Sequence, residues 1–273
     1  VNVVDTTNPI ITLMGDATIT HEAATAYTDL GAGWTDTLDG SGTLTATGTV
    51  DVNTVGAYTL TYDFTDAAGN AGVQVTRTVN VVDTTKPVIS LLGDRNVTHS
   101  VWTAYSDAGA EASDTLDGNL TAKLFLTNGM DVNLPGSYLL SYHVQDAAGN
   151  DAVSVTREVQ VVNQAPTQIY LSNLSIEENL PAGTEVGTFS TSDPDDPDHN
   201  RSYQYSLVGG EGIASFELSS GGTLQSAEVF NYESKPSYAL TIRTMDEFGG
   251  SLDQNFTIEI LDAFHAIVDT GAV

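Results

Sequence analysis

The sequence predicts an all-β chain of β-sandwich domains in a row. Three observations carry this. The 273 residues suit two or three domains. Short segments alternate apolar and polar residues with period two, and none keeps a 3.6-residue period. The first 163 residues contain one pattern twice, and the rest follows another.

In order along the chain, Val3-Val4-Asp5-Thr6-Thr7-Asn8-Pro9-Ile10-Ile11 returns as Val81-Val82-Asp83-Thr84-Thr85-Lys86-Pro87-Val88-Ile89. Gly15-Asp16 returns as Gly93-Asp94, and Ala26-Tyr27 as Ala104-Tyr105. Asp36-Thr37-Leu38-Asp39-Gly40 returns as Asp114-Thr115-Leu116-Asp117-Gly118, still 78 residues on. Two residues then enter the second copy, so that Asp51-Val52-Asn53 returns as Asp131-Val132-Asn133 and Asp66-Ala67-Ala68-Gly69-Asn70 as Asp146-Ala147-Ala148-Gly149-Asn150. Between these marks Tyr58, Leu60, Tyr62 and Phe64 alternate with polar residues, as do Tyr138, Leu140, Tyr142 and Val144. That is the pattern of a half-buried antiparallel strand. Asp39-Gly40, Gly69-Asn70 and Pro135-Gly136 supply the turns. Arg77 and its copy Arg157 share the parity of Val73, Val75, Val79 and Val81, which predicts a β-bulge or an arginine snorkelling at a sheet edge. The expected domains are 1–83, 84–163 and 164–262, with 263–273 a tail or the start of a further domain.

Composition narrows the function. The chain has 36 acidic and 8 basic residues, a net charge of −28. Such a surface repels nucleic acid and anionic lipid and attracts cations. Residues 1–163 hold 16 Asp against 3 Glu, and solubility alone would not favour Asp so strongly. Asp suits tight turns and calcium loops, where a short carboxylate sits at a fixed place. No apolar run reaches the length of a membrane span. The first residues read as the end of a strand rather than a signal peptide, so the chain is expected to be a piece of something longer, with neighbouring domains of the same chain as its partners. Cysteine is absent, and bound metal is a substitute staple.

The motifs Val-Asp-Thr-Thr-x-Pro-Val/Ile-Ile, Asp-x-Leu-Asp-Gly and Asp-Ala-Ala-Gly-Asn resemble the bacterial immunoglobulin-like repeats of large surface proteins, over residues 3–163. Residues 164–262 resemble a cadherin domain. The match rests on Ala165-Pro166, Ile176-Glu177-Glu178-Asn179-Leu180-Pro181-Ala182-Gly183-Thr184, Asp193-Pro194-Asp195, Asn200, Gly222-Thr223-Leu224, Asn231-Tyr232-Glu233, Tyr238-Ala239-Leu240-Thr241-Ile242 and Met245-Asp246. Asn231 replaces the family's usual Asp, the spacing from Asp195 to Asn200 is one residue longer than the family's, and of the closing acidic linker only Asp262 survives. The resemblance implies three immunoglobulin-like Greek-key sandwiches, the third cadherin-like, in a secreted or cell-surface adhesin without catalytic activity.

In an immunoglobulin-like sandwich the chain arrives at the end that carries the B–C and F–G loops. That topology gathers Asp5, Asp36, Asp39 and Asp66 at the top of the first domain, and Asp83, Asp114, Asp117 and Asp146 at the top of the second. In the third domain it gathers Asn163, Asp193, Asp195 and Asp246, with Asn200 a further ligand by resemblance. Several carboxylates at one place favour a cation, and an all-oxygen donor set favours Ca2+ over zinc or copper. The plainer reading is that these aspartates cap turns. By resemblance Glu178, Glu233 and Asp262 form a second, partial calcium group at the far end of the third domain.

Nothing in the sequence supports an enzyme. His21, His99, His143, His199 and His265 have no nucleophile or zinc spacing, and His21 and His99 are expected to be structural. Trp34 and Trp102 are matched by Ala112 and Ala24 in the other copy. Trp34 is expected to fill core. Trp102 lies near a turn, buried or else exposed to stack on a sugar. The expected function is an extracellular, calcium-binding adhesin segment whose junctions Ca2+ stiffens. The alternative is a calcium-dependent module that binds cell-surface polysaccharide or another cadherin-like domain.

Overall fold

The computed structural model describes residues 2–263. The expected tail lies outside the described residues except for Ala263, and so does His265. Among the described residues the chain is all-β apart from one 3-10 turn, as the alternation predicted.

In the first repeat the strands are β1 (Ile10–Leu13), β2 (Thr18–Glu22), β3 (Ala32–Asp36), β4 (Gly40–Leu44), β5 (Gly56–Tyr62) and β6 (Val75–Val82). They form sheets β1-β3-β4 and β2-β6-β5, with β2 parallel to β6. Ile11, Ala32, Leu60, Tyr62, Val79 and Val81 fill the space between them.

The second repeat has β7 (Val88–Leu91), β8 (Asn96–Ser100), β9 (Ala110–Asp114), β10 (Gly118–Asn119), the 3-10 turn η1 (Thr121–Lys123), β11 (Phe125–Asn128), β12 (Gly136–His143) and β13 (Val155–Val162). Its sheets are β10-β9-β7 and β11-β12-β13-β8. The two added residues fall in the stretch that forms η1 and β11, which has no counterpart strand in the first copy.

The third domain has β14 (Gln168–Leu171), β15 (Ser175–Glu177), β16 (Glu185–Ser192), β17 (Gln204–Gly209), β18 (Phe216–Leu218), β19 (Thr223–Ser226), β20 (Ser237–Met245) and β21 (Ser251–Leu261). Sheets β14-β16-β19-β18 and β15-β21-β20-β17 enclose Ile169, Phe189, Phe216, Leu224, Leu240, Ile242 and Ile258. Compactness divides the chain into two units, residues up to 95 with 107–128 and 139–157, and 96–106 with 129–138 and 158 onward; the division falls within β12 and β13.

The expectation for Arg77 and Arg157 needs correction. Arg77 sits on the central strand of its sheet in unbroken register opposite Leu60. It is neither bulged nor at an edge, and it is 0% exposed. Its guanidinium pairs with Asp29 and bonds the carbonyls of Met14 and Asp16, the latter at 3.0 Å. Arg157, 1% exposed, repeats this with Asp107, Leu92 and Asp94. The parity was core parity, and a buried cation is tolerated there because its donors are met by a carboxylate and main-chain carbonyls.

The histidines are structural in both copies. His21 Nε2 lies 3.1 Å from Thr25 O, and His99 Nε2 lies 3.1 Å from Thr103 O. Each ring meets a tyrosine, Tyr27 or Tyr105, edge-on at 5.1 Å. Trp34 is packed against the first core, stacked on Phe64 at 3.8 Å.

Candidate metal centre

Each acid cluster at the entry end of a domain is built from a linker, a B–C loop and an F–G turn. In the first domain Asp36 closes β3. Its Oδ1 accepts the N–H groups of Leu38 (2.8 Å) and Asp39 (2.9 Å), an Asx turn that leaves Oδ2 out of the cap. Asp66 opens the F–G turn and binds Asn70 through N–H (2.7 Å) and side-chain amide (2.8 Å). Gly69 at φ 92° lets this turn close. Asn70 also reaches the carbonyl of Asp5, tying the linker to the turn at 3.3 Å. Carboxylate oxygens of Asp5, Asp36 and Asp66 come within 4.8 Å of one another. Oδ2 of Asp5 and of Asp36 are buried and accept no hydrogen bond among the described residues. Asp39 stands outside this group, with Oδ2 accepting Ala67 N–H at 2.8 Å.

The second domain repeats the arrangement. Asp114 Oδ1 accepts Leu116 N–H (2.8 Å) and Asp117 N–H (3.1 Å), Asp146 holds Asn150, and Asn150 donates to the Asp83 carbonyl at 3.1 Å. Oδ2 of Asp83 and of Asp114 are the orphaned atoms. Asp117 again turns aside, to Ala147 N–H at 2.6 Å. Burial pushes the Asp83 carboxyl up against the pull of Thr85 N–H, and the charges of Asp114, Asp146 and Glu22 add to the rise.

Glu22, at the end of β2, was not singled out from sequence. Its Oε1 accepts Thr84 N–H (2.9 Å), Thr85 N–H (3.0 Å) and the Thr85 hydroxyl (2.7 Å), and its Oε2 accepts the Thr84 hydroxyl (2.8 Å). These bonds, the Thr85 hydroxyl foremost, pull its carboxyl down to about 2. In the repeat Ser100 occupies this place, so no shared motif marked it.

In the third domain Asp193, Asp195 and Asp246 are all buried. Asp193 Oδ1 accepts Asp195 N–H at 2.9 Å, while its Oδ2 has no partner among the described residues. Asn163 donates to Asp246 Oδ2 at 2.9 Å and leaves its own Oδ1 orphaned. Asp195 is taken up by Gln164, through N–H and through the side-chain amide at 3.0 Å. Burial pushes Asp193 up, opposed by Asp195 N–H and reinforced by Asp195, Asp246 and Asp196. Asn200 is exposed and takes part here through its N–H, which donates to Asp196 at 3.0 Å. Asp196, which the sequence reading passed over, is buried and also holds Arg201 N–H (3.1 Å) and the Tyr203 hydroxyl (3.2 Å). It shapes the loop rather than facing a cation.

At the other end of this domain, oxygens of Glu178, Glu233 and Asp262 come within 4.8 Å of one another. Glu178 is buried and accepts Tyr232 N–H at 2.9 Å and Ala263 N–H at 3.2 Å; the other two are exposed. Asn231, standing where an acid is usual, accepts Ser234 N–H at 2.8 Å.

Trp102 is partly buried, its ring stacked on Phe248 and beside Arg201. Neither a buried core position nor an open sugar platform describes it.

All-oxygen donors with orphaned carboxylate and amide oxygens at domain ends fit a hard cation. The fold is that of β-sandwich domains in series, each entered at an acidic end. A family profile described as bacterial surface protein, Ig-like domain, matches residues 11–81 and 89–161, and a cadherin domain profile matches residues 172–261. The chain belongs to the bacterial surface Ig-like family and carries a cadherin domain after its two repeats. Both domain types are typical of non-catalytic adhesion modules on cell surfaces. No described helix is long and apolar enough to cross a membrane.

Protocadherin Fat 4 of Mus musculus is 29% identical over 132 residues, 47% of this chain and 3% of that protein. Protocadherin-16 of Mus musculus is 36% identical over 155 residues, 54% of this chain and 5% of that protein. An uncharacterized 81.3 kDa protein of Acholeplasma phage L2 is 28% identical over 191 residues, 64% of this chain and 25% of that protein. The chain thus spans only 3% of the length of the first curated relatives. Among solved structures, mouse cadherin-23 EC22–24 is similar at 18% identity and TM-score 0.37, covering 94% of this chain and 99% of that one. A protocadherin gammaB7 EC3–6 cis-dimer is similar at 14% identity and TM-score 0.40, covering 94% and 74%.

Proposed function

We propose that this chain is a calcium-binding, non-catalytic segment of a bacterial cell-surface adhesin, in which Ca2+ stiffens the ends where one domain follows another. The observation that carries this is the recurrence of buried, unpartnered oxygens at the top of all three domains: Asp5 and Asp36, Asp83 and Asp114, Asn163 and Asp193. An aspartate that only caps a turn needs one oxygen for the cap, and solvent takes the other. Here the second oxygen is buried, which is costly unless a cation meets it. Asp5, Asp36 and Asp66 would hold the first ion, Asp83, Asp114 and Asp146 the second, and Asp193, Asp246 and Asn163 the third. Glu178, Glu233 and Asp262 would hold another together with a following domain. Bound calcium would neutralise each cluster and tie linker, B–C loop and F–G turn together; without it the acids repel and the linkers loosen.

Calorimetric titration of the chelator-stripped chain with calcium, with thermal melts in parallel, tests this. The expected result is two or more binding events and a melting temperature raised by several degrees; at a hundredfold excess over Kd one site contributes about 2.7 kcal/mol. No heat and no shift would reduce the clusters to turn caps. Small-angle scattering is expected to show a longer particle with calcium than with chelator.

A further inference from the structure

Two loops of the third domain, each holding candidate ligands, reach one indole of the second. The ring of Trp102 stacks on Phe248 with centroids 5.0 Å apart and planes 29° apart. The Arg201 guanidinium carbon lies 4.5 Å from the same ring centre. Both partners are fastened to acids of the loops that carry the candidate ligands. Phe248 N–H donates to Asp246 Oδ1 at 2.8 Å, and Asp246 Oδ2 accepts from Asn163, whose Oδ1 is orphaned. Arg201 N–H donates to Asp196, whose own N–H donates to the Asp193 carbonyl at 3.1 Å. The chain has 36 acids to 8 bases, yet the Arg201 guanidinium makes no ion pair among the described residues and lies on the ring instead.

The backbone at Trp102 shows that the turn does not call for an indole. Its φ is 60°, the left-handed region that disfavours bulky residues. Ala24 and Asn179 occupy the same place in the other two domains, at φ 53° and 60°. Each donates its N–H to a carbonyl across the domain: Ala24 to Val52 (2.8 Å), Trp102 to Val132 (2.7 Å), Asn179 to Phe230 (3.0 Å). The fold requires a left-handed residue here, and alanine or asparagine suffices. A strained bulky residue where a small one serves points to a role for its side chain.

We propose that Trp102 is a positioning residue for the third domain's calcium site. Through Phe248 and Arg201 it holds the 246–250 and 193–201 loops with their ligands in the binding arrangement. The preceding domain thereby sets the affinity of the site without supplying a ligand. The proposal rests on the calcium reading above.

The test is calcium titration of the full chain by calorimetry and indole fluorescence, with variants Trp102→Gly, Trp102→Phe, Phe248→Ala and Asp193→Ala. Asp193→Ala identifies the event belonging to this site by removing it. Trp102→Gly and Phe248→Ala are expected to weaken that event about tenfold, the scale seen when groups behind metal ligands are lost. The other events should keep their affinity. Glycine relieves the backbone at this position, so a loss in Trp102→Gly belongs to the ring. Trp102→Phe should bind close to wild type, and it should abolish the emission change that accompanies this event although Trp34 remains. Wild-type affinity in both Trp102→Gly and Phe248→Ala overturns the positioning role and leaves the calcium reading standing. If no event is lost in Asp193→Ala, the third domain's site and the positioning role are both overturned, while the remaining events leave the other sites standing.

Discussion

Gly42 leaves no room for a side chain beneath Trp34: a Cβ on Gly42 would stand 2.6 Å from the indole Nε1. In the second repeat the same two places hold Leu120 and Ala112, and the residue stacked on the indole, Phe64, becomes Val144. All three replacements are buried in that domain's core. The copies fill one space in two ways, a large residue from β3 in the first and a leucine following β10 in the second. Trp34→Ala alone should cost about 3 kcal/mol. Gly42→Leu alone should cost at least as much, because a rigid ring cannot step aside. The double variant should recover about 1–3 kcal/mol of the sum. Denaturant melts of the four proteins measure this coupling, and strict additivity would refute the exchange.

The buried arginines make a pH prediction. Burial pushes the Asp29 carboxyl up, but hydrogen bonds from Tyr62, Gly31 N–H and Arg77, with the guanidinium charge, outweigh it and hold it below the usual value of 3.8. Asp107 is held down likewise by Tyr142, Arg157 and Gly109. For a carboxylate with a lowered native pKa, the contribution to stability is complete above the unfolded pKa. It is lost as pH falls through the native one. Wild-type melting temperature should therefore decline as pH drops below about 4. Asp29→Asn should be less stable at neutral pH and flatter with acid. Asp29→Ala, which strands a buried cation, should cost about 3–5 kcal/mol. A variant that follows the wild-type acid profile would show that this pair does not govern it.

Glu22 makes a local prediction. With its carboxyl drawn down to about 2, its hold on Thr84 and Thr85 is complete above the ordinary 4.5 and fades only as pH approaches 2. Glu22→Ala should raise hydrogen exchange at the Thr84 and Thr85 amides while distant strands keep their protection. The stability loss should be about 1 kcal/mol, since the group is only partly buried. Unchanged exchange at those two amides would remove Glu22 from the linker's support.

What was legible in the sequence follows how far each signal reaches along the chain. Alternation and turns are local, so the all-β fold could be read from Tyr58–Phe64 and Asp39-Gly40. The aspartates were legible because the repeat shows Asp36, Asp66, Asp114 and Asp146 in turn motifs of fixed spacing, and a sandwich brings such turns together. Arg77 was misread because its partner Asp29 lies 48 residues away and no periodicity records that pairing. Glu22 was missed because its bonds to Thr84 and Thr85 span 62 and 63 residues and its repeat partner is a serine. Within Asp193-Pro194-Asp195-Asp196 all the acids look alike in sequence. Only the turn geometry gives Asp195 to Gln164, turns Asp196 into the loop, and leaves Asp193 with an orphaned oxygen.

That orphaned oxygen yields a prediction whose sign depends on calcium. Burial raises the Asp193 carboxyl, with Asp195, Asp246 and Asp196 adding repulsion, so its ionised form opposes folding when no cation is bound. A raised native pKa means the folded state holds more protons than the unfolded one just above the usual carboxylate range. Stability there falls as pH rises. Asp193→Asn removes the charge and keeps the shape. In chelator at neutral pH the variant should melt above wild type, since an unmet buried polar group costs about 1–3 kcal/mol. In saturating calcium it should melt below wild type, having lost the stabilisation that binding supplies. Asp39→Asn, at an acid turned away from its cluster, should change neither order. Melts of the three proteins in both buffers decide the matter. If Asp193→Asn is less stable than wild type in chelator as well, Asp193 is a turn cap whose second oxygen carries no charge penalty, and the third domain's cation site falls with it.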